Sequence, residues 1–448
     1  MIRTVTLFLL FVFILSNISF SQEKNIIPGE LIVQLKPGYQ TENLENDLSS
    51  IALHTKELLS KRMNIWLFGY DVGKIADSNV LLELRSHQSV KQAQFNHIVS
   101  LRTELNAQEF STSIRNTLNV PNDSRFNEQW SLNNTGQTGG TPDADIDAVE
   151  AWDFSTGGVT ALGDTIVIAI VDGGCDLNHS DLQYWYNYEE IPNNNIDDDG
   201  NGYVDDFRGW NAYDNNGNVP SASHGTHVSG IAAARGNNGI GVSGVNWNAK
   251  IMPVAGSTNV EATVVKAYAY ILEMRSRYNE TNGQHGAFVV VTNASFGVDY
   301  GNPVNYPLWC AIYDSLGVQG IISCGATANA NINVDLQGDI PTACPSPYLI
   351  SVTNTTNTDS KNSGAAYGLT TIDIGAPGTS VLSTDLSNSY SLKTGTSMAT
   401  PTVAGAVALL FSAANSGLMQ SYRVNPSQGA LTFKQFLFDG ADPIPALQ

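Results

Sequence analysis

Apolar residues gather into short, nearly continuous runs set far apart, with Gly-, Asn- and Asp-rich stretches between them. From about residue 116 onward the runs are 165–171, 251–254, 287–291, 320–323 and 348–352, most of them rich in β-branched residues. A strand with one face in water alternates apolar and polar residues, whereas an unbroken apolar run marks a strand covered on both faces, as in a parallel sheet. Stretches compatible with helix lie between or after them, at 225–234, 262–278 and 402–414. Strands alternating with helices predict an α/β layered domain, a mostly parallel sheet with helices on both faces. Upstream, residues 23 to about 115 are more charged and mixed, and 28–38 reads as a short strand between two Pro-Gly turns.

The N-terminus adds a compartment to this picture. Arg3 precedes an unbroken apolar run at 7–15, and Ser19-Phe20-Ser21 puts small residues where a signal peptidase reads, predicting a signal peptide over 1–21 and an exported chain. Nine apolar residues cannot cross a bilayer core of ~30 Å, and no later run is long enough, so no membrane span is expected. With 42% hydrophobic and 14% charged residues in 448, most of the chain should fold around a large core. Its 42 acidic against 22 basic residues give a net charge of −20, which repels phosphate backbones and excludes a nucleic-acid partner while suiting a carrier of cations. Four cysteines without a C-x-x-C spacing argue against zinc and thioredoxin-like chemistry. Export permits disulfides, and the clustering of Cys310, Cys324 and Cys344 predicts a bridge among them, with Cys175 a small buried hydrophobe.

Three segments place a reactive residue at the end of a predicted element. Asp172 follows a buried strand and precedes two glycines, at the carboxyl end where α/β sheets keep their sites. By itself it reads as a turn or N-cap residue. His224 leads a helix of small residues, His-Gly-Thr-His-Val-Ser-Gly, without the Glu of a zinc helix. In Thr394-Gly-Thr-Ser-Met-Ala-Thr-Pro401, the proline is tolerated only in a first turn, so a helix should start near Ser397. That places the serine hydroxyl and its N–H at a positive helix end, though a plain N-cap serine has the same pattern. The order Asp, His, Ser on an α/β sheet then separates the chain from α/β-hydrolases and chymotrypsin-like enzymes and matches the subtilisin arrangement.

These segments resemble the three signatures of the subtilisin-like serine peptidases, in the secreted bacterial form made with an N-terminal propeptide. The resemblance covers roughly residues 120–448. Residues 28–38 are similar to the start of an inhibitory propeptide, and the stretch from Trp130 to Trp152 to the start of a catalytic domain. It implies a signal peptide over 1–21, an α+β propeptide over 22–115 and a three-layer subtilisin-like peptidase domain over 116–448. That domain is expected to be cut short at residue 448, since relatives continue there. It further implies Ser397 as nucleophile, His224 as general base and acid, Asp172 orienting the imidazole, and Asn329 donating to the oxyanion. Ser295, Phe296 and Gly297 resemble the segment that pairs with peptide substrate. The chain departs from the family pattern at Gly173, Ser223 and Ala328. The expected partners are protein substrates and the chain's own propeptide, and the expected state is a monomer. The rival class is a catalytically silent protein using the same fold to bind peptides.

Residues 197–206 read Asp-Asp-Asp-Gly-Asn-Gly-Tyr-Val-Asp-Asp. Asp197, Asp199, Asn201, the Tyr203 carbonyl and Asp205 follow the alternate spacing of a calcium loop, with Gly202 at its turn, although Arg208 stands where a bidentate Glu would close it. Five carboxylates in ten residues repel one another without a cation, so structural Ca2+ is expected. A second calcium site, at Asp181 and Asn238, is implied by the family resemblance alone.

Overall fold

The computed structural model describes residues 25–101, 105–106, 120–444 and 447. The expected signal peptide and the expected boundary near residue 115 lie outside the described residues. The N-terminal unit runs β1 (Ile26–Leu35), α1 (Thr41–Asp47), β2 (His54–Ser60), β3 (Ile65–Gly69), α2 (Asp77–Ser86) and β4 (Val90–Leu101). Its strands pair antiparallel in the order β4-β1-β3-β2. Alternation along β1 explains why this sheet has two partners. Leu31, Val33 and Leu35 join Phe68, Val80 and Leu84 in a core with α1 and α2. Ile32, with Ile65, Leu67 and Val99, belongs instead to the core of the rest of the molecule.

Downstream come β5 (Leu105–Asn106), α3 (Ala148–Trp152), β6 (Val167–Asp172), β7 (Trp210–Asn211), α4 (Ser223–Ala233), β8 (Lys250–Ala255), β9 (Asn259–Val260) and α5 (Glu261–Glu280). They are followed by β10 (Val289–Ala294), β11 (Phe296–Asp299), α6 (Pro307–Val318), β12 (Ile322–Ala326), α7 (Val334–Gln337), β13 (Asp339–Ile340) and β14 (Leu349–Thr355). The chain ends with β15 (Ile374–Pro377), β16 (Val381–Asp385), β17 (Ser389–Thr394), α8 (Thr396–Ala413), α9 (Ser416–Val424) and α10 (Pro426–Asp439). Seven strands form one parallel sheet in the order β15-β14-β12-β10-β6-β8-β7.

The unbroken apolar runs are accounted for by burial on both faces. Val167, Ala169 and Val171 pack beneath α5 and α6, while Ile166, Ile168 and Ile170 pack against α4 and α8. Each of the five anticipated runs overlaps a sheet strand. The edge strands β15 and β7 were not anticipated, because Ile-Gly-Ala-Pro and Trp-Asn are too short and too rich in breakers to read as strands. Helix α8 starts at Thr396, next to the expected start at Ser397, with Pro401 inside the helix instead of in its first turn; it is long and apolar enough to cross a membrane, but it lies largely buried in the core. A disulfide joins Cys310 to Cys344, and Cys175 and Cys324 are buried free thiols.

Candidate active site

The end of β6 delivers Asp172 as a fully buried carboxylate whose two oxygens are both committed. The Gly173 N–H donates to Oδ1 at 2.7 Å, and His224 Nδ1 lies 2.8 Å from Oδ2. A carboxylate only accepts, so the neutral imidazole carries its proton on Nδ1 and keeps the Nε2 lone pair for other work. His224 can come this close because Gly225 follows it. A β-carbon there would stand 1.9 Å from the Gly174 carbonyl oxygen and 3.0 Å from Asp172 Oδ1. The second histidine of the motif has a different environment. His227 Nε2 donates to the Ser391 carbonyl at 2.9 Å, while its buried Nδ1 has no partner. Desolvation, assisted by the nearby Lys393 charge, lowers its pKa to about 3, so it stays neutral.

Ser397 is the second residue of α8, and α8 packs along α4. Its Oγ donates to the Ser295 carbonyl at 3.0 Å, and Ser295 Oγ donates back to the Ser397 carbonyl at 2.9 Å. The second bond answers a specific deficit. Pro401 lies four residues on and has no N–H, so the Ser397 carbonyl would otherwise lose its helical partner. Asn293 Nδ2 in turn donates to Ser295 Oγ at 2.9 Å. Asn329 comes from the loop after β12, and its Oδ1 accepts the Thr396 N–H at 2.9 Å. That bond fixes the amide orientation and sets Nδ2 beside Gly395, where a β-carbon would stand 3.1 Å away. The departure at Ala328 is accommodated, since its methyl is buried in a small cluster with Val334 and Ala366. Ser223, another departure, takes a hydrogen bond from Lys393 Nζ at 2.6 Å.

Phe296 and Gly297 present their backbone to a neighbouring strand. Phe296 is buried and stacks on Trp309 at 5.9 Å. Along this backbone runs the chain's own β4, with Leu101 opposite Phe296 and Ser100 opposite Gly297. On its other side β4 pairs with β9, Ile98 opposite Val260 and Val99 opposite Asn259. Side chains of β4 also reach the helices beneath. Gln94 Nε2 and His97 Nδ1 meet the two oxygens of the buried Glu261 at 2.6 and 2.7 Å. Asn96 Oδ1 accepts the Ala262 N–H at 3.0 Å and Gln94 Oε1 that of Leu308 at 2.7 Å, capping the first turns of α5 and α6.

The acidic loop folds differently from its spacing. Among the described residues, the His, Cys, Asp and Glu side chains that could converge three at a time on a metal ion are Glu190, Asp199 and Asp206, with ligand atoms within 4.8 Å of one another. Of the expected side chains only Asp199 supplies a carboxylate here. Asp197 accepts backbone N–H groups of Asn201 and Gly202, Asp205 those of Asn194 and Asn195, and Asn201 donates its amide to Asp199 and Asp206. Tight turns leave backbone donors pointing inward, and Asp197 and Asp205 satisfy them, as does Glu190 through the N–H groups of Asp198, Asp199 and Asp205. Asp206 is the last residue of the acidic run, but Glu190 lies upstream of it and carries no sequence signal. Burial pushes the Asp206 carboxyl up to about 7, reinforced by Asp199 and Glu190. The other expected pair does meet, Asn238 Nδ2 donating to Asp181 Oδ1 at 2.7 Å, with Asp123 beside it accepting the Asn237 N–H.

Residues 163–441, more than half of the chain, match the family described as the Subtilase family. An extracellular protease of Xanthomonas campestris pv. campestris is 33% identical over 326 residues, covering 67% of this chain and 50% of that protein. A cell wall-associated protease of Bacillus subtilis is 29% identical over 314 residues, covering 68% of this chain and 29% of that one. The chain thus spans half or less of the length of these relatives. Fervidolysin from Fervidobacterium pennivorans, a keratinolytic enzyme related to subtilisin, shares the fold with a TM-score of 0.61 over 90% of this chain and 56% of its own, at 18% identity. The parallel sheet, the residues gathered at its carboxyl edge and these matches agree that the chain belongs to the subtilase family.

Proposed function

We propose that this chain is an exported serine endopeptidase that hydrolyses peptide bonds through Asp172, His224 and Ser397. The observation that carries the reading is the buried Asp172–His224 hydrogen bond at the sheet's carboxyl edge, on a helix packed against the one that Ser397 opens. Ser397 Oγ attacks the scissile carbonyl as His224 Nε2 takes its proton, and the same nitrogen returns it to the leaving amine. Asp172 holds the tautomer and stabilises the imidazolium. Asn329 Nδ2 and the first N–H groups of α8 stabilise the oxyanion. Water then releases the acyl group from Ser397.

Substrates bind as an extended strand between β9 and β11, where β4 now lies. Recognition through main-chain hydrogen bonds gives broad specificity. Residues 22 to about 115 act as the propeptide that occupies this groove until processing. Export through the signal sequence at 1–21 is supported by the names of the Xanthomonas and Bacillus relatives. Calcium fits the donor set at Glu190, Asp199 and Asp206, all hard oxygen ligands, and would neutralise carboxylates that the fold forces together.

The test is a fluorophosphonate probe applied to purified, processed protein in calcium, with the labelled peptide mapped by mass spectrometry. We expect label on Ser397 alone and none on Ser397→Ala. An unlabelled, folded, processed protein would sink the peptidase reading in favour of a peptide-binding member of the family.

A further inference from the structure

We propose that Asp339 selects substrates with a basic side chain, Arg or Lys, on the acyl side of the bond that is cut. This rests on the peptidase reading above and adds the class of its preferred substrate. Pairing along β9 and β11 engages main chain only and leaves most substrate side chains unread, so a strong preference needs a slot beside Ser397. Two neighbouring strands of the parallel sheet supply one. β10 and β12 run side by side, Asn293 opposite Cys324 and Ala294 opposite Gly325. Past their carboxyl ends they part, β10 passing through Ser295 into β11 and β12 into the loop that carries Thr327 and Asn329. A crevice beyond the carboxyl ends of the strands is where sheets of this kind hold ligands. Its mouth lies at Ser397, whose hydroxyl donates to the Ser295 carbonyl at 3.0 Å, while the Thr396 hydroxyl donates to the Thr327 carbonyl at 2.5 Å.

Strand β13 closes the far end of the slot and is tied to both walls. Ile340 pairs with Val298 and Asp339 with Asp299 on the β11 side. On the β12 side the Pro341 ring presses on Gly325, where a β-carbon would stand 2.9 Å from its Cγ, and the Thr327 hydroxyl donates to Asp339 Oδ2 at 3.3 Å. The Thr342 hydroxyl donates to the same oxygen at 2.5 Å. The fully buried Asp339 carboxylate is thus held between the two walls. A substrate strand lying as β4 does, antiparallel to β11, sets successive residues opposite Gly297, Phe296 and then Ser295. The last of these brings its carbonyl to Ser397 and its side chain to the mouth of the slot. Asp339 lies opposite a residue two steps past Gly297, about 7 Å farther along β11, a reach that suits the long stems of Arg and Lys. Away from water a cation meeting that carboxylate gains more than it would at the surface. An acidic side chain would be repelled, and an apolar one would set hydrocarbon against a buried charge. Asp299, directly across from Asp339, adds a second negative charge at this end.

The experiment gives the processed protein internally quenched peptides that differ only in the residue ahead of the scissile bond, Arg, Lys, Leu, Phe or Glu, with each cut placed by mass spectrometry. We expect kcat/KM for Arg and Lys at least ~100-fold above Leu and Phe, and Glu the slowest. Benzamidine, a flat amidinium small enough for the slot, should compete with the Leu peptide, a readout that needs no variant. Asp339→Asn keeps an acceptor for both threonine hydroxyls and removes the charge, so it should lower the Arg-to-Leu ratio of kcat/KM at least ~30-fold. Leu or Phe peptides cut as fast as Arg and Lys, or an Arg-to-Leu ratio that Asp339→Asn leaves alone, would make Asp339 a mere anchor of β13. Either result, with Ser397 still labelled by the fluorophosphonate, overturns the specificity and leaves the peptidase reading intact. Absence of both label and cleavage overturns the two together.

Discussion

At the scale of single residues, Ser397 is positioned by a repair. Pro401 removes the N–H that would have served the Ser397 carbonyl, and Ser295 Oγ replaces it. The two positions are therefore coupled. Ser295→Ala alone should cost about 1–2 kcal/mol of stability and lower kcat, because a buried carbonyl loses its partner. In a Pro401→Ala background the new N–H can serve that carbonyl, so the same change should cost measurably less. A double-mutant cycle by denaturant unfolding reads the difference, and strict additivity would refute the repair. Asn329→Ala should reduce kcat ~10²–10³-fold with little change in KM, the range seen when one such donor is removed from subtilisin, itself a subtilase. His227 should appear in the pH dependence of stability instead. Its pKa is lowered to about 3 by burial, against about 6.5 unfolded, so between these values the unfolded chain binds the extra proton. Stability therefore falls as pH drops from ~6.5 towards 3, by up to about 1.4 kcal/mol per pH unit. His227→Gln, which keeps a donor for the Ser391 carbonyl, should flatten that slope in acid unfolding curves.

At the scale of elements, residues that act at the end of one segment were legible, and residues that act across segments were not. Asp172, His224 and Ser397 each close or open a strand or helix whose apolar pattern marks it, so their motifs and places could be read together. The start of α8 near Ser397 was legible, but Pro401 lies inside the helix and not in its first turn, and the Ser295 hydroxyl that makes it tolerable there comes from a distant strand end. The acidic loop shows the same limit. Its spacing announced cation chemistry, while the fold turned Asp197 and Asp205 to backbone donors and brought Glu190 and Asp206 to Asp199. Calcium should therefore raise the melting temperature, and Asp206→Asn should abolish most of that rise while Asp197→Asn keeps more of it. The pH sign follows from the Asp206 carboxyl, pushed up to about 7. Without calcium, the folded chain holds a proton that the unfolded chain releases near 4, so stability declines as pH rises from 4 towards 7. Calcium needs the ionised form, so its stabilising effect should grow over that same interval and be removed by a chelator at neutral pH. Thermal melts with calcium or with EDTA across this range check both signs.

At the scale of the whole molecule, the N-terminal unit completes the first turns of α5 and α6 as well as pairing with β9 and β11. Its sheet lays one apolar face on α5 and α6, and Gln94 and Asn96 cap the first turns of those helices from outside their own chain segment. Neither helix has a side-chain cap from its own preceding residue, so release of the N-terminal unit hands those N–H groups to water. Each cap is worth about 1 kcal/mol. The pair Gln94→Ala and Asn96→Ala should thus weaken the grip of the cut N-terminal unit by about 2 kcal/mol, roughly 30-fold in its dissociation constant. The strand pairing of β4 with β9 and β11 is backbone-made and survives these changes, so the cut itself should proceed at nearly the original rate. Recovery of peptidase activity after processing reads the first effect and the appearance of the cut fragment reads the second. Faster recovery with unchanged cutting would separate the groove, which presents the bond, from the helix caps, which retain the product. Equal loss of both would mean that the caps are needed to fold the groove in the first place.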